Sequence, residues 1–196
     1  RKHSQIRIAF SISGITLDQF DEYAPEVTDS FRRLAETGSV DFLTETYYHS
    51  LSSLIPGNEF ELQVAKHEKK IHSLFGIRSK VFRNTELFYS DQTADRIREL
   101  GFKGVMVDGI DRLLNHQHPH QIFESTYVPD LKILLRNYRL SDDVSFRFYQ
   151  NSKPLSAEKY MSWLSAIPAH EKIITLAMDY ETFGEHQKAE TGIFSF

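Results

Sequence analysis

Residues 172–187, KIITLAMDYETFGEHQ, decide how the rest of this chain is read. The first half, KIITLAM, has the apolar and β-branched composition of a buried strand. The second half gathers Asp179, Glu181, Glu185 and His186. Carboxylates are costly inside a buried strand, so a run that ends in acids marks where the strand reaches the mouth of a site. On a strand, Asp179 and Glu181 stand two residues apart and share one face. The competing reading is a strand-end pair neutralised by Arg or Lys. A second segment, VFRNTEL at residues 81–87, places Glu86 at the end of another short strand. Two carboxylates on two strand ends are the minimum needed to split a glycosidic bond. For Glu86 the competing reading is an acid at a helix N-terminus, because a helical pattern follows it.

Outward from these segments, strand-like and helix-like patterns alternate. IRIAFSISG (6–14), VDFLTE (40–45), KVFRNTE (80–86), GVMVDG (104–109), LKILLRN (131–137) and KIITLAMDYE (172–181) read as strands. Residues 17–37 follow helical spacing, with Pro25 opening a second helix and Gly38 ending it. A helix over 59–75 takes Asn58 as its cap and Gly76 as its stop, with Phe60, Leu62, Val64, Ile71 and Leu74 as its apolar positions. Residues 92–100 form a helix capped by Ser90 or Asp91, and residues 156–168 one capped by Ser156. Residues 47–57 and 115–124 read as loops. Strands separated by helices of this length predict βαβ units and a mainly parallel sheet. Polar residues cluster at the strand C-terminal ends: Ser11, Ser13, Glu45, Glu86, Asp108, Asn137, Asp179 and Glu181. A (β/α) barrel concentrates such residues at its active face, and a doubly wound open sheet looks similar. The expected fold is α/β with the barrel preferred.

Composition removes several function classes. The 196 residues are 40% hydrophobic and 26% charged, as for a globular protein with a substantial core. A net charge of −4 and dispersed basic residues give no electrostatic footprint for nucleic acid. No apolar run approaches the roughly 20 residues that span a bilayer, so no membrane association is expected. The absence of cysteine excludes disulfides and thiolate metal sites, and a cytoplasmic setting is expected. The chain opens on Arg1 and ends at IFSF without a cap, so a segment of a larger protein is expected.

Other residues offer site chemistry. His49 lies in TETYYHS beyond a strand, beside Tyr47 and Tyr48, a combination suited to hydrogen bonding and stacking on a sugar ring. His186 in GEHQ offers similar chemistry, although a lone histidine is more often structural. His116, His118 and His120 in NHQHPHQ invite a metal reading, but Pro119 interrupts the series and no acid stands near as a fourth ligand. No metal and no cofactor are expected. Asp108 and Asp111 in VDGID belong to a site rim or simply to a turn at Gly109. In NYRLSDD, Arg139 is placed to hold a carboxylate ionised, and Ser141 to cap a helix with acids in its first turn.

Taken in order, FSISG, VDFLTETYYHSL, VFRNTELFYSD, LLRNYRLSDD and MDYETFGEHQ resemble the α-amylase group of glycoside hydrolase family 57. The resemblance implies an irregular (β/α)7 barrel acting on α-1,4-linked glucans with retention of configuration. It carries the nucleophile role onto Glu86 in NTEL and the general acid/base role onto Asp179 in DYETFG, with Glu181 the second acid of that motif. It places His49 near the substrate. Together with the readings of the residues above, substrate-binding roles are expected for His49, Glu181, Asp108, Arg139 and His186. In a retaining pair the carboxyl groups stand about 5–5.5 Å apart. The family's His-Gln-Pro motif is absent, as is its following helical region. Residues 1–196 are thus expected as a single domain, the central part of the barrel without its first strand. NHQHPHQIF also replaces a Trp-containing segment. The expected partner is an α-glucan such as starch, glycogen or maltodextrin. The same carboxylate pair serves a 4-α-glucanotransferase or branching enzyme, a non-catalytic glucan-binding homologue would keep only the fold, and a metal-dependent polysaccharide deacetylase uses a related barrel.

Overall fold

The computed structural model describes residues 7–110, 114, 117–125, 127–150 and 153–196, so Asp111, Asn115 and His116 fall outside it. The chain divides into two compact units, Arg1–Val107 with Glu124–Ile133, and Asp108–Phe123 with Leu134–Phe196.

In the first unit β1 (Ile8–Phe10) runs parallel to β2 (Val40–Phe42), with Phe10 opposite Phe42. Two helices make the crossover, α1 (Gly14–Tyr23) and α2 (Pro25–Glu36). Ser13 caps α1 by accepting the Thr16 N–H at 3.3 Å. Pro25 stands in the first turn of α2, where a missing N–H leaves no intrahelical bond unmade. Helix α3 (Glu59–Phe75) ends at Gly76, whose φ of 69° is left-handed. Asn58 does not cap it; acids in the first turn, Glu59 and Glu61, face the positive end of the helix dipole instead. Leu62, expected on the apolar face, is exposed, whereas Phe60, Val64, His67 and Ile71 are buried.

Leu17, Phe31, Phe42 and Ile71 form the core of this half, with Phe42 stacked on Phe75 at 4.1 Å between ring centroids. Burying each such side chain contributes about 1.5–3 kcal/mol. Strand β3 (Val81–Arg83) pairs in parallel with β4 (Gly104–Asp108) across α4 (Asp91–Glu99), which Ser90 caps by accepting the Thr93 N–H at 3.1 Å. An isolated parallel bridge, Thr44 to Phe82, continues the order from β2 to β3. Chain order and spatial order therefore agree, as in a (β/α) barrel segment.

Two further strands are β5 (Ile122–Glu124) and β6 (Lys132–Arg136). Residues 115–124 are thus not loop throughout. In the second unit α5 (Tyr138–Ser145) is capped by Asn137, whose Oδ1 accepts the Leu140 N–H at 2.9 Å. The expected cap, Ser141, lies inside the helix and donates to the Asn137 carbonyl at 2.8 Å. A short antiparallel hairpin, β7 (Tyr149–Gln150) and β8 (Lys153–Pro154), precedes α6 (Ala157–Ser165), which Ser156 caps as expected. Val144, Phe148, Tyr160 and Ile193 form the core here.

The expected strand over 172–181 is reduced to one parallel bridge, Arg136 to Thr175. Its backbone groups are used otherwise. The Thr175 carbonyl accepts the Asn137 N–H at 2.8 Å, the Ala177 carbonyl accepts Arg136 Nε–H at 2.7 Å, and the Ala177 N–H donates to Ser141 Oγ at 3.1 Å. Side chains at the β6–α5 junction stand where a ladder would be. Asp179 is followed directly by a 3-10 turn, Tyr180–Thr182, so strand alternation does not place Asp179 and Glu181 on one face.

Candidate active site

Glu86 leaves β3 on a tight turn, neither on the strand itself nor at the start of α4. Asn84, fully buried, donates from Nδ2 to the Phe88 carbonyl at 3.0 Å and to Ser53 Oγ at 3.3 Å. The buried Thr85 hydroxyl lies 3.1 Å from that of Thr46. Held between these anchors, Glu86 and Leu87 take φ of 55° and 52°, the left-handed region that side chains other than Gly seldom occupy. Such conformations cost about 1–3 kcal/mol each and persist only where surrounding structure imposes them. The result is a carboxylate turned outward, its side chain 75% exposed, on a backbone that is fixed beneath it.

Beside it stands a buried acid that strand-end counting noted without assigning. Glu45 is 1% exposed. Its Oε1 accepts from Ser11 Oγ at 2.7 Å, and its Oε2 lies 2.8 Å from His49 Nδ1 and 3.9 Å from Arg83 Nη1. Burial pushes the Glu45 carboxyl up, but the hydrogen bonds from His49 and Ser11 and the charge of Arg83 outweigh it and hold the group below the usual value. His49 is itself in a left-handed conformation, φ 52°, and its Nε2 is 3.5 Å from Glu86 Oε1. The hydrogen bond to Glu45 raises the His49 pKa above that of a free imidazole. Beneath them His67, fully buried, accepts the Glu45 N–H at Nδ1 (3.4 Å), with Nε2 2.8 Å from the Ile12 carbonyl. Burial lowers its pKa, so this histidine is neutral. His67 falls in the same heptad-like stripe as Phe60, Val64 and Ile71, and a histidine in an apolar helical stripe was the available sign of it. For Glu45 and His49 the sign was their i,i+4 spacing around two tyrosines. Tyr47 also packs its ring on Gly14, where a Cβ would come within 2.3 Å of it.

The second unit presents its acids differently. Asp179 and Glu181 are exposed, and among the described residues neither forms an ion pair. Their segment is held by its backbone: Thr182 N–H to the Asp179 carbonyl at 3.1 Å, and His186 N–H to the Glu181 carbonyl at 2.9 Å. Two buried side chains anchor the turn, with Thr182 Oγ1 donating to Ser145 Oγ at 3.1 Å and Gln187 Nε2 to the Ser145 carbonyl at 2.9 Å. The exposed His186 ring lies beside Phe146 at 5.3 Å.

Asp108, at the end of β4, lies 3.4 Å from Arg136, and Asp142 lies 2.6 Å from the same guanidinium. Arg136, passed over in the sequence, is the residue that holds these two carboxylates. Arg139 Nε donates to the Tyr138 hydroxyl at 3.2 Å. Both Tyr138 and Arg139 line a cleft of ≈ 390 Å³ with Gln117, His118, His120 and Asn137. His118 and His120 stack at 6.1 Å, and His120 Nε2 accepts from Asn137 Nδ2 at 2.7 Å, the other amide atom being engaged by Leu140. Among the described residues no three His, Cys, Asp or Glu side chains assemble as a metal site.

Residues 1–196 match the family model of glycosyl hydrolase family 57 over their whole length. The chain belongs to that family. A Methanocaldococcus jannaschii protein named "Putative alpha-amylase" is 44% identical over 195 residues, which are 97% of this chain and 41% of that protein. The chain therefore spans about two fifths of the length of this relative. Among solved structures, 4-alpha-glucanotransferase from Thermococcus litoralis is 18% identical with a TM-score of 0.79, covering 98% of this chain and 30% of that one. A "putative polysaccharide deacetylase" from Mycobacterium smegmatis is 14% identical with a TM-score of 0.64, covering 98% and 65%. At these identities the likeness is one of fold. It identifies the mixed, mainly parallel α/β architecture as that of family 57 barrel enzymes, and the family is the one the motifs resemble.

Proposed function

We propose that this chain carries the catalytic carboxylates of a retaining α-1,4-glucan hydrolase of α-amylase type. Glu86 attacks the anomeric carbon while Asp179 protonates the departing glycosidic oxygen. Asp179 then takes a proton from the water that releases the glycosyl-enzyme. The observation that carries the reading is the Glu86 turn in a family 57 chain: an exposed carboxylate on a strained, buried-anchored backbone at a strand end. Glu181, Asp108, Arg139 and His186 supply donors and acceptors suited to sugar hydroxyls, and His49, whose ring nitrogens face Glu45 and Glu86, offers its ring face for stacking on the sugar. The substrates are starch, glycogen or maltodextrin in the cytoplasm, and residues 1–196 act as one segment of the catalytic domain.

The test uses soluble starch and the intact protein. Glu86→Gln is expected to abolish reducing-end release with an unchanged circular dichroism spectrum, and Asp179→Asn to reduce it. Survival of activity in Glu86→Gln contradicts the assignment. The same carboxylate pair serves a second reading, a 4-α-glucanotransferase, in which a sugar hydroxyl replaces water as acceptor. Chromatography of products from a single maltooligosaccharide separates the two. Hydrolysis gives only shorter chains, whereas transfer gives longer and shorter ones together.

A further inference from the structure

We infer that His49 is a positioning residue for Glu86 that works only as a doubly protonated imidazolium, with Glu45 holding it in place. The inference rests on Glu86 being the nucleophile and adds how that carboxylate is aimed. The Glu86 side chain is 75% exposed, so packing does not fix its rotamer. Among the described residues the ionisable group within reach of it is His49 Nε2 at 3.5 Å, and the opposite nitrogen, Nδ1, is 2.8 Å from Glu45 Oε2. A ring between two carboxylates needs an N–H on both sides. Neutral imidazole has one, and the shorter, buried contact to Glu45 keeps it on Nδ1. Nε2 would then present a lone pair to Glu86 and repel it.

The surrounding charges divide: Glu45 and Glu86 favour the imidazolium, whereas Arg83 opposes it and is outweighed by the hydrogen bond to Glu45. Arg83 Nη1 is 3.9 Å from Glu45 Oε2 and 3.5 Å from His49 Nδ1, so it also supports Glu45 from the β3 side. From α3 the neighbour is His67, which burial keeps neutral. Glu45 and Glu86 therefore face Arg83 and His49, two negative charges against two positive ones. Glu45 is pinned further by Ser11 at 2.7 Å. Both ends of the contact sit on left-handed residues, His49 and Glu86, and the Thr46–Thr85 hydroxyl contact ties the two turns together at 3.1 Å. One Glu86 oxygen is thus held by Nε2–H, and the other is left for the anomeric carbon. A separation of 3.5 Å is of the length that catalytic hydrogen bonds often show before substrate binds.

The test follows the His49 ring protons by NMR from pH 5 to 10, alongside pH profiles of kcat and kcat/KM, for the intact protein and its variants. Removing either carboxylate charge, in Glu45→Gln or Glu86→Gln, lowers the His49 pKa, by about one unit or more in Glu45→Gln. The alkaline limb of the kcat profile moves down with it in Glu45→Gln. His49→Gln, which keeps a donor but cannot titrate, retains activity at roughly 10- to 100-fold lower kcat with KM little changed, and its alkaline limb no longer follows Glu45→Gln. A His49 titration unmoved by both carboxylate variants, or an alkaline limb indifferent to both His49→Gln and Glu45→Gln, overturns the inference. If Glu45→Gln does not fold, the Glu86→Gln titration decides alone. Azide rescue of Glu86→Ala separates the two claims: without rescue the nucleophile assignment fails, and with rescue but an indifferent limb only the role of His49 fails.

Discussion

Glu86 and Asp179 are both exposed carboxylates just beyond the end of an apolar run, yet the chain supports them by different means. Beneath Glu86 lies a set of buried polar side chains, Asn84, Thr85, Thr46, Glu45 and His67, and the backbone above them is forced into the left-handed region. Asp179 leads into a 3-10 turn closed by ordinary backbone hydrogen bonds, with Thr182 and Gln187 hydrogen-bonded in the interior and Met178 packed on the core before it. The contrast matches the two proposed tasks. A nucleophile must hold one trajectory toward one carbon, so strain and buried hydrogen bonds are useful beneath it. An acid/base must serve a leaving oxygen and then a water, and a turn with looser support suits both.

The largest effect expected from breaking this comparison is on chemistry. Glu86→Gln should lower turnover of an α-glucan by on the order of 10⁴-fold or more, measured as reducing-end release. Asp179→Asn should cost roughly 10²–10⁴-fold and should recover in part on a substrate whose leaving group needs no proton, such as an aryl glycoside. On stability the order depends on what each residue leaves unpaired. Glu45→Gln breaks a buried charge pair and should cost about 3 kcal/mol by urea denaturation. Because the folded Glu45 carboxyl titrates below its ordinary value, its contribution is complete above the ordinary carboxylate range and drains away as pH falls through the folded value. The acid limb of stability should therefore flatten in Glu45→Gln. Asn84→Ala removes two buried hydrogen bonds under the strained turn and should cost about 2 kcal/mol, while Thr182→Val, which removes one, should cost about 1 kcal/mol.

Much of the fold could be read from local chemistry. Pro25, Ser90, Ser156 and Gly76 mark helix ends wherever they occur, because caps and fixed φ act within a few residues. The parallel order of β1 to β4 followed from helix-length spacers between apolar runs. The last run misled because its strand character depended on partners elsewhere. Arg136, Asn137 and Ser141 take its backbone groups, and composition does not reveal that competition. The candidate site was legible to the same degree. Glu86 and Asp179 stand in short motifs that can be quoted, whereas Glu45 differs from any other strand-end acid only by being buried. Arg136 sits inside the apolar run KILLR and reads as an outward-facing strand residue until its two aspartates are seen around it.

The central claim is that Glu86 is the nucleophile, and trapping tests it most directly. A fluorinated α-glucosyl fluoride, which forms the glycosyl-enzyme quickly and releases it slowly, should leave one hexose on the protein. Peptide mass spectrometry should then locate that hexose on Glu86. A label on Asp179, Glu181 or another acid, or a product of inverted configuration with no label formed, would contradict the account.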